Sequence, residues 1–242
     1  MRIDFHTHIL PGIDDGSKDI DMTERMLEAE LEQGVSHIFA TPHFYAHRRS
    51  IDSFIERRAA AMAKTEELLH SRPELPEITA GAEVYYFSGI GKAGQIEELC
   101  VQGSNVLLLE LPFDQWHRDV CKDIDSLIEK RDLTIVLAHL DRYEQFQKDR
   151  TAWNTVIEMP LTIQLNCESI LEKDSWLRRN HRHSLCMSLI EEKKNVIIGS
   201  DCHNLTDRAP NIAEARAVIE KECGAGRLRQ MDEYTEMLLM GV

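Results

Sequence analysis

Short hydrophobic runs recur along the chain at intervals that suit strands separated by helices. Seven runs have the length and residue types of strands, at residues 2–5, 35–40, 77–84, 106–110, 133–139, 161–166 and 195–201. The run at residues 106–110 is apolar almost throughout, which is typical of a strand covered on both faces. The pattern therefore predicts a parallel sheet buried beneath other elements.

Stretches with helical spacing lie between these runs. In the first, at residues 21–33, Met22, Met26, Leu27 and Leu31 recur on one face before Gly34. Further helices are predicted at residues 51–70, 117–131, 184–194, 207–222 and 226–239. Strands alternating with helices imply an α/β fold with a parallel sheet. Because no linker interrupts the seven units, we expect one barrel-like domain over residues 1–242.

Charge and cysteine content narrow the classes of function. The formal net charge of the 242-residue chain is −14, which argues against nucleic acid because such proteins need a basic face. No signal peptide or membrane-spanning run is apparent, so no membrane insertion is expected. The six cysteines form no C-x-x-C pair. We expect reduced thiols in a cytoplasmic protein.

Most of the predicted strands end in a residue that can bind metal. The first is followed by His6-Thr7-His8, whose imidazoles point to the same side of an extended chain. Pro42 cannot extend a central strand, so His43 is expected on the loop just after the second. The complete candidate set is His6, His8, His43, Glu83, Glu110, His139, Asp201 and His203. Asp14 and Asp15 lie in a turn that returns to the same mouth.

A strand-end histidine or glutamate taken alone is more often an ordinary rim residue, but here the same feature recurs around the mouth. Glu83 and Glu110 also end apolar strands, where an unpaired charge is costly. Imidazole and carboxylate ligands without cysteine suit manganese, iron or zinc. The number of ligands implies two or three divalent ions. Such a cluster indicates hydrolysis of a phosphate ester, with an amide as the less favoured substrate.

Seven motifs together resemble the PHP (polymerase and histidinol phosphatase) superfamily. More narrowly, they resemble the manganese-dependent protein-tyrosine phosphatases of bacterial capsule and exopolysaccharide operons. The resemblance covers residues 2 to about 215, in the family's order. The motifs are His6-Thr7-His8, Ile13-Asp14-Asp15-Gly16, Thr41-Pro42-His43, Gly81-Ala82-Glu83-Val84-Tyr85-Tyr86, Leu109-Glu110-Leu111, Ala138-His139-Leu140-Asp141-Arg142-Tyr143 and Gly199-Ser200-Asp201-Cys202-His203-Asn204.

The resemblance implies a distorted TIM-like barrel of seven parallel strands with outer helices, and a three-metal site. One ion would take His6, His8, Glu83 and Asp201. The second would share Glu83 with Glu110 and His139, and the third would take Asp15, His43 and His203. Asp14 stands one place early against the motif.

Arg142 and Arg208 match the family's phosphate-contacting arginines. The resemblance further implies that a metal-activated hydroxide hydrolyses phosphotyrosine. The implied substrate is the C-terminal tail of a tyrosine kinase that controls polysaccharide export. Two alternatives stay open, a histidinol-phosphate phosphatase on the same fold and a metal-binding interaction module without catalysis.

Other motifs receive less weight. Cys202 and Arg208 spell C-x5-R, the signature of cysteine-dependent tyrosine phosphatases, but the loop between them lacks the glycine that close phosphate approach favours. We interpret this as coincidence. His181-Arg182-His183, beside Arg178 and Arg179, is expected to be a solvated basic turn or a patch that meets an acidic phosphopeptide. Aromatic residues near the proposed ligands either wall the pocket or pack in the core, namely Tyr85, Tyr86, Phe87 and Trp116.

Overall fold

Parallel strands alternate with helices in the computed structural model, which describes residues 1–173 and 181–240. The strands are β1 (Ile3–Thr7), β2 (His37–Ala40), β3 (His43–Phe44), β4 (Glu77–Ala80), β5 (Glu83–Tyr85), β6 (Val106–Glu110), β7 (Thr134–Leu137), β8 (Thr162–Asn166) and β9 (Val196–Gly199). The helices are α1 (Ile20–Glu32), α2 (Ile51–Ser71), α3 (Arg118–Arg131), α4 (Arg150–Glu158), α5 (Cys167–Leu171), α6 (Arg182–Glu192), α7 (Ile212–Cys223) and α8 (Ala225–Met240). The expected α/β class is confirmed.

The strands form two parallel sheets. One has the order β1-β2-β4 and the other the order β3-β5-β6-β7-β8-β9. A parallel bridge between Thr7 and Cys202 joins β1 to the chain that follows β9. At this seam the N–H of Asp201 donates to the carbonyl of His6 at 2.8 Å, and the N–H of His8 donates to the carbonyl of Cys202 at 2.9 Å. The ends of the first and last strands therefore lie side by side.

The third expected strand is interrupted and the second is followed by an additional short strand, so an unbroken seven-stranded barrel is not confirmed. Residues 41–42 separate β2 from β3, and residues 81–82 separate β4 from β5. Pro42 has no N–H and cannot donate to a neighbouring strand. Its carbonyl still accepts from the N–H of Glu83 at 3.1 Å. This hydrogen bond links the segment between β2 and β3 to the start of β5. His43 begins the short strand β3, and the expectation that it lies on a loop was wrong.

The space between the strands is filled by apolar side chains. Phe5 of β1 and Phe39 of β2 lie with their ring centroids 4.4 Å apart. Leu238 of α8 packs into the same cluster and extends the contact to the last helix. The full inner cluster is Ile3, Phe5, Phe39, Val101, Val106, Leu108, Val136, Ala138, Ile197 and Leu238. The alternate residues of β6, Leu107 and Leu109, belong to the larger outer core beneath the helices. The alternation of β6 thus builds both layers.

Some helices differ from the sequence prediction. α7 begins at Ile212 rather than at residue 207, because the side chain of Asn204 accepts from the N–H groups of Thr206 and Arg208 at 2.9 and 3.1 Å and folds a turn there. α6 begins at Arg182 rather than at residue 184. The helices α4 and α5 were not predicted. In the described part of the chain, no helix is both long and apolar enough to cross a membrane.

Two carboxyl groups are buried beside the seam. Asp4 in β1 and Glu30 in α1 are both 0% exposed. Asp4 Oδ1 accepts from the N–H of Ser200 at 2.9 Å and from the N–H of His6 at 3.1 Å. Neither carboxyl oxygen of Glu30 has a hydrogen-bond partner among the described residues. Burial and the charge of Asp4 raise the pKa of Glu30 well above its ordinary value, which favours the protonated acid.

Glu30→Gln tests whether this acid is neutral in the folded protein. When the pKa of an acid is higher in the folded than in the unfolded protein, the protonated acid contributes to the free energy of unfolding. This contribution is fully present below the unfolded-state pKa and is lost as the pH rises toward the folded-state pKa. We therefore expect the free energy of unfolding of Glu30→Gln to improve relative to wild type as the pH rises above about 4.3. Urea unfolding at stepped pH measures this. A difference independent of pH, equal to that of the exposed-site control Glu32→Gln, would contradict it.

Candidate metal centre

The strand ends bring the candidate ligands to one mouth. His6 and His8 come from the end of β1, and Glu110 ends β6. His43 begins β3, and Glu83 begins β5. The remaining candidates lie on loops after strands, Asp15 after β1, His139 after β7, and Asp201 and His203 after β9. Most of these side chains are buried, whereas His43 is partly exposed and Asp15 is exposed.

In their neutral forms, His6 and His8 would present two nitrogen lone pairs to each other. The Nδ1 of His6 donates to Oε1 of Gln164 at 3.1 Å. The Nδ1 of His8 donates to Oδ2 of Asp14 at 2.7 Å. In neutral imidazoles, the two Nε2 atoms then carry lone pairs, and they lie 3.2 Å apart. Two facing lone pairs need a cation between them, either a proton or a metal ion.

Glu83 and Asp201 complete this group. Glu83 Oε2 lies 3.4 Å from the Nε2 atoms of both His6 and His8. Asp201 Oδ1 lies 3.6 and 3.4 Å from the same two atoms. Ligands of a tetrahedral ion with bonds near 2.05 Å would be about 3.3 Å apart. The donor atoms of His6, His8 and Glu83 lie within 4.8 Å of one another, which suits one small divalent ion, and Asp201 lies beside this group.

Glu83 reaches two further histidines. Its Oε1 lies 2.8 Å from Nε2 of His139, which is 3.6 Å from Oε1 of Glu110. Its Oε2 lies 2.7 Å from Nδ1 of His43. Within the described part of the chain, neither Oε2 of Glu83 nor Nδ1 of His43 has a hydrogen-bond partner. Close polar atoms without a hydrogen bond suit a shared cation, and Glu83 is placed to bridge two ions.

A third group of donors lies at the outer side. His8, Asp15, His43 and His203 each offer an atom within 4.8 Å of the others. Asp15 Oδ1 is 3.5 Å from Nε2 of His43 and 3.6 Å from Nε2 of His203. His8 also belongs to the group of His6 and Glu83. The donor groups overlap, so the three-ion division implied by the family resemblance stays a prediction.

The acids and bases of the site hold unusual protons in the absence of metal. Burial and the charges of Glu83 and Asp201 raise the pKa of Glu110 to about 9. Burial alone would lower the pKa of His8, but Asp14, Asp201 and Glu83 raise it well above its ordinary value. Burial opposes the charge of Glu83, yet His6 and His43 lower the pKa of Glu83 well below its ordinary value. Divalent ions would displace these protons and supply the positive charge that they now provide.

Backbone conformation directs two of the candidate ligands. His139 has φ 33° and Asp201 has φ 54°, both in the left-handed region that non-glycine residues seldom adopt. Such strain persists where surrounding contacts enforce it. Gly199 makes room for His6, since a Cβ at Gly199 would lie 2.6 Å from the Cβ of His6. A Cβ at Gly16 would lie 2.0 Å from the carbonyl oxygen of His8.

A set of buried polar residues, which was not predicted from the sequence, lies behind the candidate ligands. Gln164 Oε1 accepts from His6 Nδ1 and, at 2.8 Å, from the N–H of His139. Gln164 Nε2 donates to Asn166 Oδ1, and Asn166 Nδ2 donates to Oδ2 of Asp201, both at 3.0 Å. The available signal was two polar residues at alternate positions near the end of an apolar strand. Their contacts orient three candidate ligands.

Asp14 also orients ligands, and its shortest contact is the hydrogen bond from His8. It accepts from the N–H of His43 at 3.0 Å, and the N–H of Gly16 donates to it at 3.0 Å. Burial raises its pKa, but the charge and hydrogen bond of His8 leave the pKa of Asp14 below its ordinary value. The two neighbouring carboxylates thus differ in position. Asp14 supports the histidines through hydrogen bonds, whereas Asp15 faces the mouth as a candidate metal ligand.

Both candidate phosphate-binding arginines meet Asp201. Arg142 Nη1 lies 3.0 Å from Oδ2 of Asp201, and Arg208 Nη2 lies 2.6 Å from the same oxygen. Arg142 also lies 3.5 Å from Glu168. The other oxygen of Asp201 faces the histidines. One carboxylate therefore joins the two guanidinium groups to the candidate metal ligands.

The C-x5-R motif does not present a reactive thiol. Cys202 is 0% exposed. Burial and the acids Glu30 and Asp4 raise the pKa of its thiol well above the ordinary value, which disfavours the nucleophilic thiolate. This geometry agrees with the interpretation that the motif is coincidental.

The remaining motifs lie away from the ligands or support the fold. His183 donates from Nδ1 to the carbonyl of Ile170 at 2.7 Å, while its Nε2 lies 3.2 Å from Glu222. Arg178 and Arg179 lie outside the described residues. Trp116 is 2% exposed and packs in the core, and the hydroxyl of Tyr86 donates to Asp123 at 2.9 Å. Tyr45 and Phe113, which were not predicted from the sequence, lie beside candidate ligands, with ring centroids 5.2 Å from His43 and 5.7 Å from His139, respectively.

Known proteins resemble this chain over nearly its whole length. The tyrosine-protein phosphatase CpsB of Streptococcus pneumoniae is 25% identical over 242 residues, which cover 95% of this chain and 94% of the relative. The tyrosine-protein phosphatase YwqE of Bacillus subtilis strain 168 is also 25% identical over 242 residues, covering 98% of this chain and 91% of YwqE.

Solved structures share the fold. One comes from a set of crystal structures of YwqE from Bacillus subtilis and CpsB from Streptococcus pneumoniae, two proteins that are called unique metal-dependent tyrosine phosphatases. It matches with a TM-score of 0.83 and 24% identity, covering 99% of this chain and 94% of the other. An amidohydrolase II structure matches more distantly, with a TM-score of 0.57 and 12% identity over 99% of this chain and 100% of the other.

A family model described as capsular polysaccharide synthesis, CpsB/CapC, matches residues 2–238. This match spans both sheets and the entire candidate metal centre. It confirms the narrower of the two resemblances stated from the motifs. The chain belongs to the CpsB/CapC family of capsular polysaccharide synthesis proteins.

Proposed function

We propose that this protein is a metal-dependent protein-tyrosine phosphatase that regulates capsule or exopolysaccharide synthesis. The observation that best supports this function is the overlap of donor groups around Glu83, with Arg142 and Arg208 on the adjoining Asp201. The names of relatives that align over nearly the full chain support the same activity. The proposed substrate is a phosphotyrosine protein, the C-terminal tail of a bacterial tyrosine kinase.

The proposed centre holds two or three divalent ions, manganese first and iron or zinc as alternatives. Its ligands are the nine residues predicted from the sequence: His6, His8, Asp15, His43, Glu83, Glu110, His139, Asp201 and His203. The facing lone pairs of His6 and His8 support this assignment. The proposal also includes a cytoplasmic location and one domain over residues 1–242. In that domain, the interrupted strands and the bridge at Thr7 would complete a distorted seven-stranded barrel.

Each part of the site has a role in hydrolysing a phosphate ester. Bound divalent ions would lower the pKa of water and offset the charge of phosphate. Gln164 and Asp14 hold the histidine ring orientations by accepting from their Nδ1 atoms. Arg142 and Arg208 would leave Asp201 in part and bind two phosphate oxygens, for which a planar guanidinium is suited. The phenolate of tyrosine is a comparatively stable leaving group.

The activity is tested by comparing substrates in the presence and absence of metal. We expect the protein to hydrolyse phosphotyrosine peptides, to lose this activity on chelation, and to regain it with manganese. Phosphate release from histidinol phosphate should be slower at equal concentration. Faster turnover of histidinol phosphate would select that enzyme instead. Binding of metal without turnover of either substrate would indicate an interaction module, and full activity in a demonstrably metal-free sample would exclude the proposed mechanism.

Glu83→Ala should be the most damaging single change among the ligands. Glu83 contacts four histidines through its two oxygens, so its removal takes a ligand from two ions together. We expect kcat to fall about a hundredfold or more and the metal content, measured by elemental analysis, to fall with it. Glu77→Ala, at an exposed position of β4, is the matched control. Unchanged metal content and rate in Glu83→Ala would show that the ligand assignment is wrong.

Arg142→Ala and Arg208→Ala should each slow turnover without emptying the centre. We expect kcat/KM for a phosphotyrosine peptide to fall about tenfold to a thousandfold, by analogy with the loss of one charge-stabilising donor. Arg→Lys should restore little because the planar fork is lost. The exposed Arg229→Ala of α8 and the buried Cys202→Ser serve as controls that should keep most activity. Near-normal kinetics in the double alanine variant would move phosphate recognition to other residues.

A further inference from the structure

The turn that joins β3 to α2 places two arginines beside the candidate metal centre. The N–H groups of Arg48 and Arg49 donate to the carbonyl of Tyr45 at 2.9 and 3.3 Å. A cavity of about 390 Å³ lies here. Its wall includes His43 and Asp15 of the candidate centre on one side and Tyr45, Arg48 and Arg49 on the other. The cavity and the centre therefore share a wall.

The charge environment of Arg48 and Arg49 differs from that of the arginines that acids hold elsewhere in the described part of the chain. Elsewhere Arg72 contacts Glu24, Glu28 and Glu74, and similar acid partners hold other arginines of this acidic chain. Among the described residues, no carboxylate forms an ion pair with Arg48 or Arg49. Burial and the nearby charges of Arg57 and Arg48 lower the pKa of Arg49. In a chain with a net charge of −14, such a local positive cluster is well suited to an anion.

The two carboxylates that line the cavity have partners on the metal side. Asp14 binds His8 at 2.7 Å, and Asp15 faces His43 and His203 at 3.5 and 3.6 Å. Bound divalent ions would engage the same carboxylate side of the cavity. The guanidinium side then remains available to a ligand that approaches from solvent.

Aromatic contacts hold the outer arginine in place. The Arg48 guanidinium lies 4.5 Å from the ring centroid of Tyr45, a cation–π contact. The Tyr45 ring lies 5.2 Å from the His43 ring and 5.5 Å from the Tyr85 ring. Because an exposed arginine otherwise loses considerable side-chain freedom on binding, this stacking reduces the entropy cost of capturing an anion.

We propose that Arg48 and Arg49 form an anion subsite for the carboxylate of an acidic residue that flanks the phosphotyrosine of the substrate. The proposal rests on the proposed function, because it requires the phosphotyrosine to occupy the adjoining centre. An extended peptide advances about 3.3–3.6 Å per residue, so a side chain one or two positions away can enter a cavity that shares the His43 wall. A singly charged carboxylate suits a cavity whose opposite wall carries Asp14 and Asp15 better than a doubly charged phosphate does.

Four phosphotyrosine peptides that differ only at the flanking residues test this subsite, with glutamate, glutamine, lysine or a second phosphotyrosine there. For the metal-loaded wild type, kcat/KM should be about threefold to tenfold higher with glutamate than with glutamine, mainly through KM. This ratio should fall close to one in Arg48→Ala/Arg49→Ala and decrease with added salt. It should persist in the control Arg229→Ala. Arg48→Glu/Arg49→Glu should reverse the preference toward a lysine-flanked peptide.

Each other outcome has a distinct meaning. A wild-type ratio near one would overturn the subsite, and equal losses on the glutamate and glutamine peptides would place the two arginines on the phosphotyrosine phosphate instead. A larger preference for the second phosphotyrosine that also depends on Arg48 and Arg49 would replace the carboxylate by a phosphate. Fluorescence anisotropy with non-hydrolysable phosphonate versions of the peptides gives the same ratio from Kd. A preference in binding without turnover would refute the phosphatase but retain the subsite.

Discussion

The buried carboxylate of Glu83 is the constraint on which the rest of the site depends. Its two oxygens lie between 2.7 and 3.4 Å from nitrogens of four histidines. A buried negative charge is tolerated only when it is paired and desolvation is offset. The neighbouring Asp201 adds further negative charge, and the pKa of Glu110, raised to about 9, keeps that acid protonated near neutral pH. Protons alone therefore give a site that depends on pH. Divalent ions would pair with the same buried carboxylates and would supply two positive charges each in a small volume.

This concentration of charge needs a rigid frame. The left-handed backbone at His139 and Asp201 costs about 1–3 kcal/mol at each position, and only a closely packed surrounding can enforce it. The inner apolar cluster supplies that packing from several strands at once. Asp4 then joins His6 and Ser200 through their N–H groups. The seam between the first and last strands thus holds the candidate ligands His6 and Asp201 in register.

The sequence identified the candidate ligands better than it identified the elements that support them. Strand ends in a parallel sheet converge, so metal-binding residue types at successive ends indicated a common site before any distance was known. Gln164 could not be recognised in this way, because its role depends on contacts with His6 and His139 from distant strands. The pairing of Glu30 with Asp4 is likewise a tertiary effect. The spacing from Met26 and Leu27 places Glu30 on the apolar face of α1, but it does not show which group Glu30 meets there. The interruptions at residues 41–42 and 81–82 could not be predicted either, because they depend on how neighbouring strands are placed relative to each other.

Asp201 couples the two kinds of chemistry that a phosphatase site needs. Its Oδ1 faces the histidines, while its Oδ2 receives Arg142 and Arg208. Before substrate binds, this carboxylate partly neutralises both guanidinium groups and keeps them from random orientations. An ion at Oδ1 would draw electron density from the carboxylate and weaken its hold on the arginines. Under the proposed function, an incoming phosphate would then compete for guanidinium groups that are already positioned, and metal binding and phosphate recognition would favour each other through one side chain.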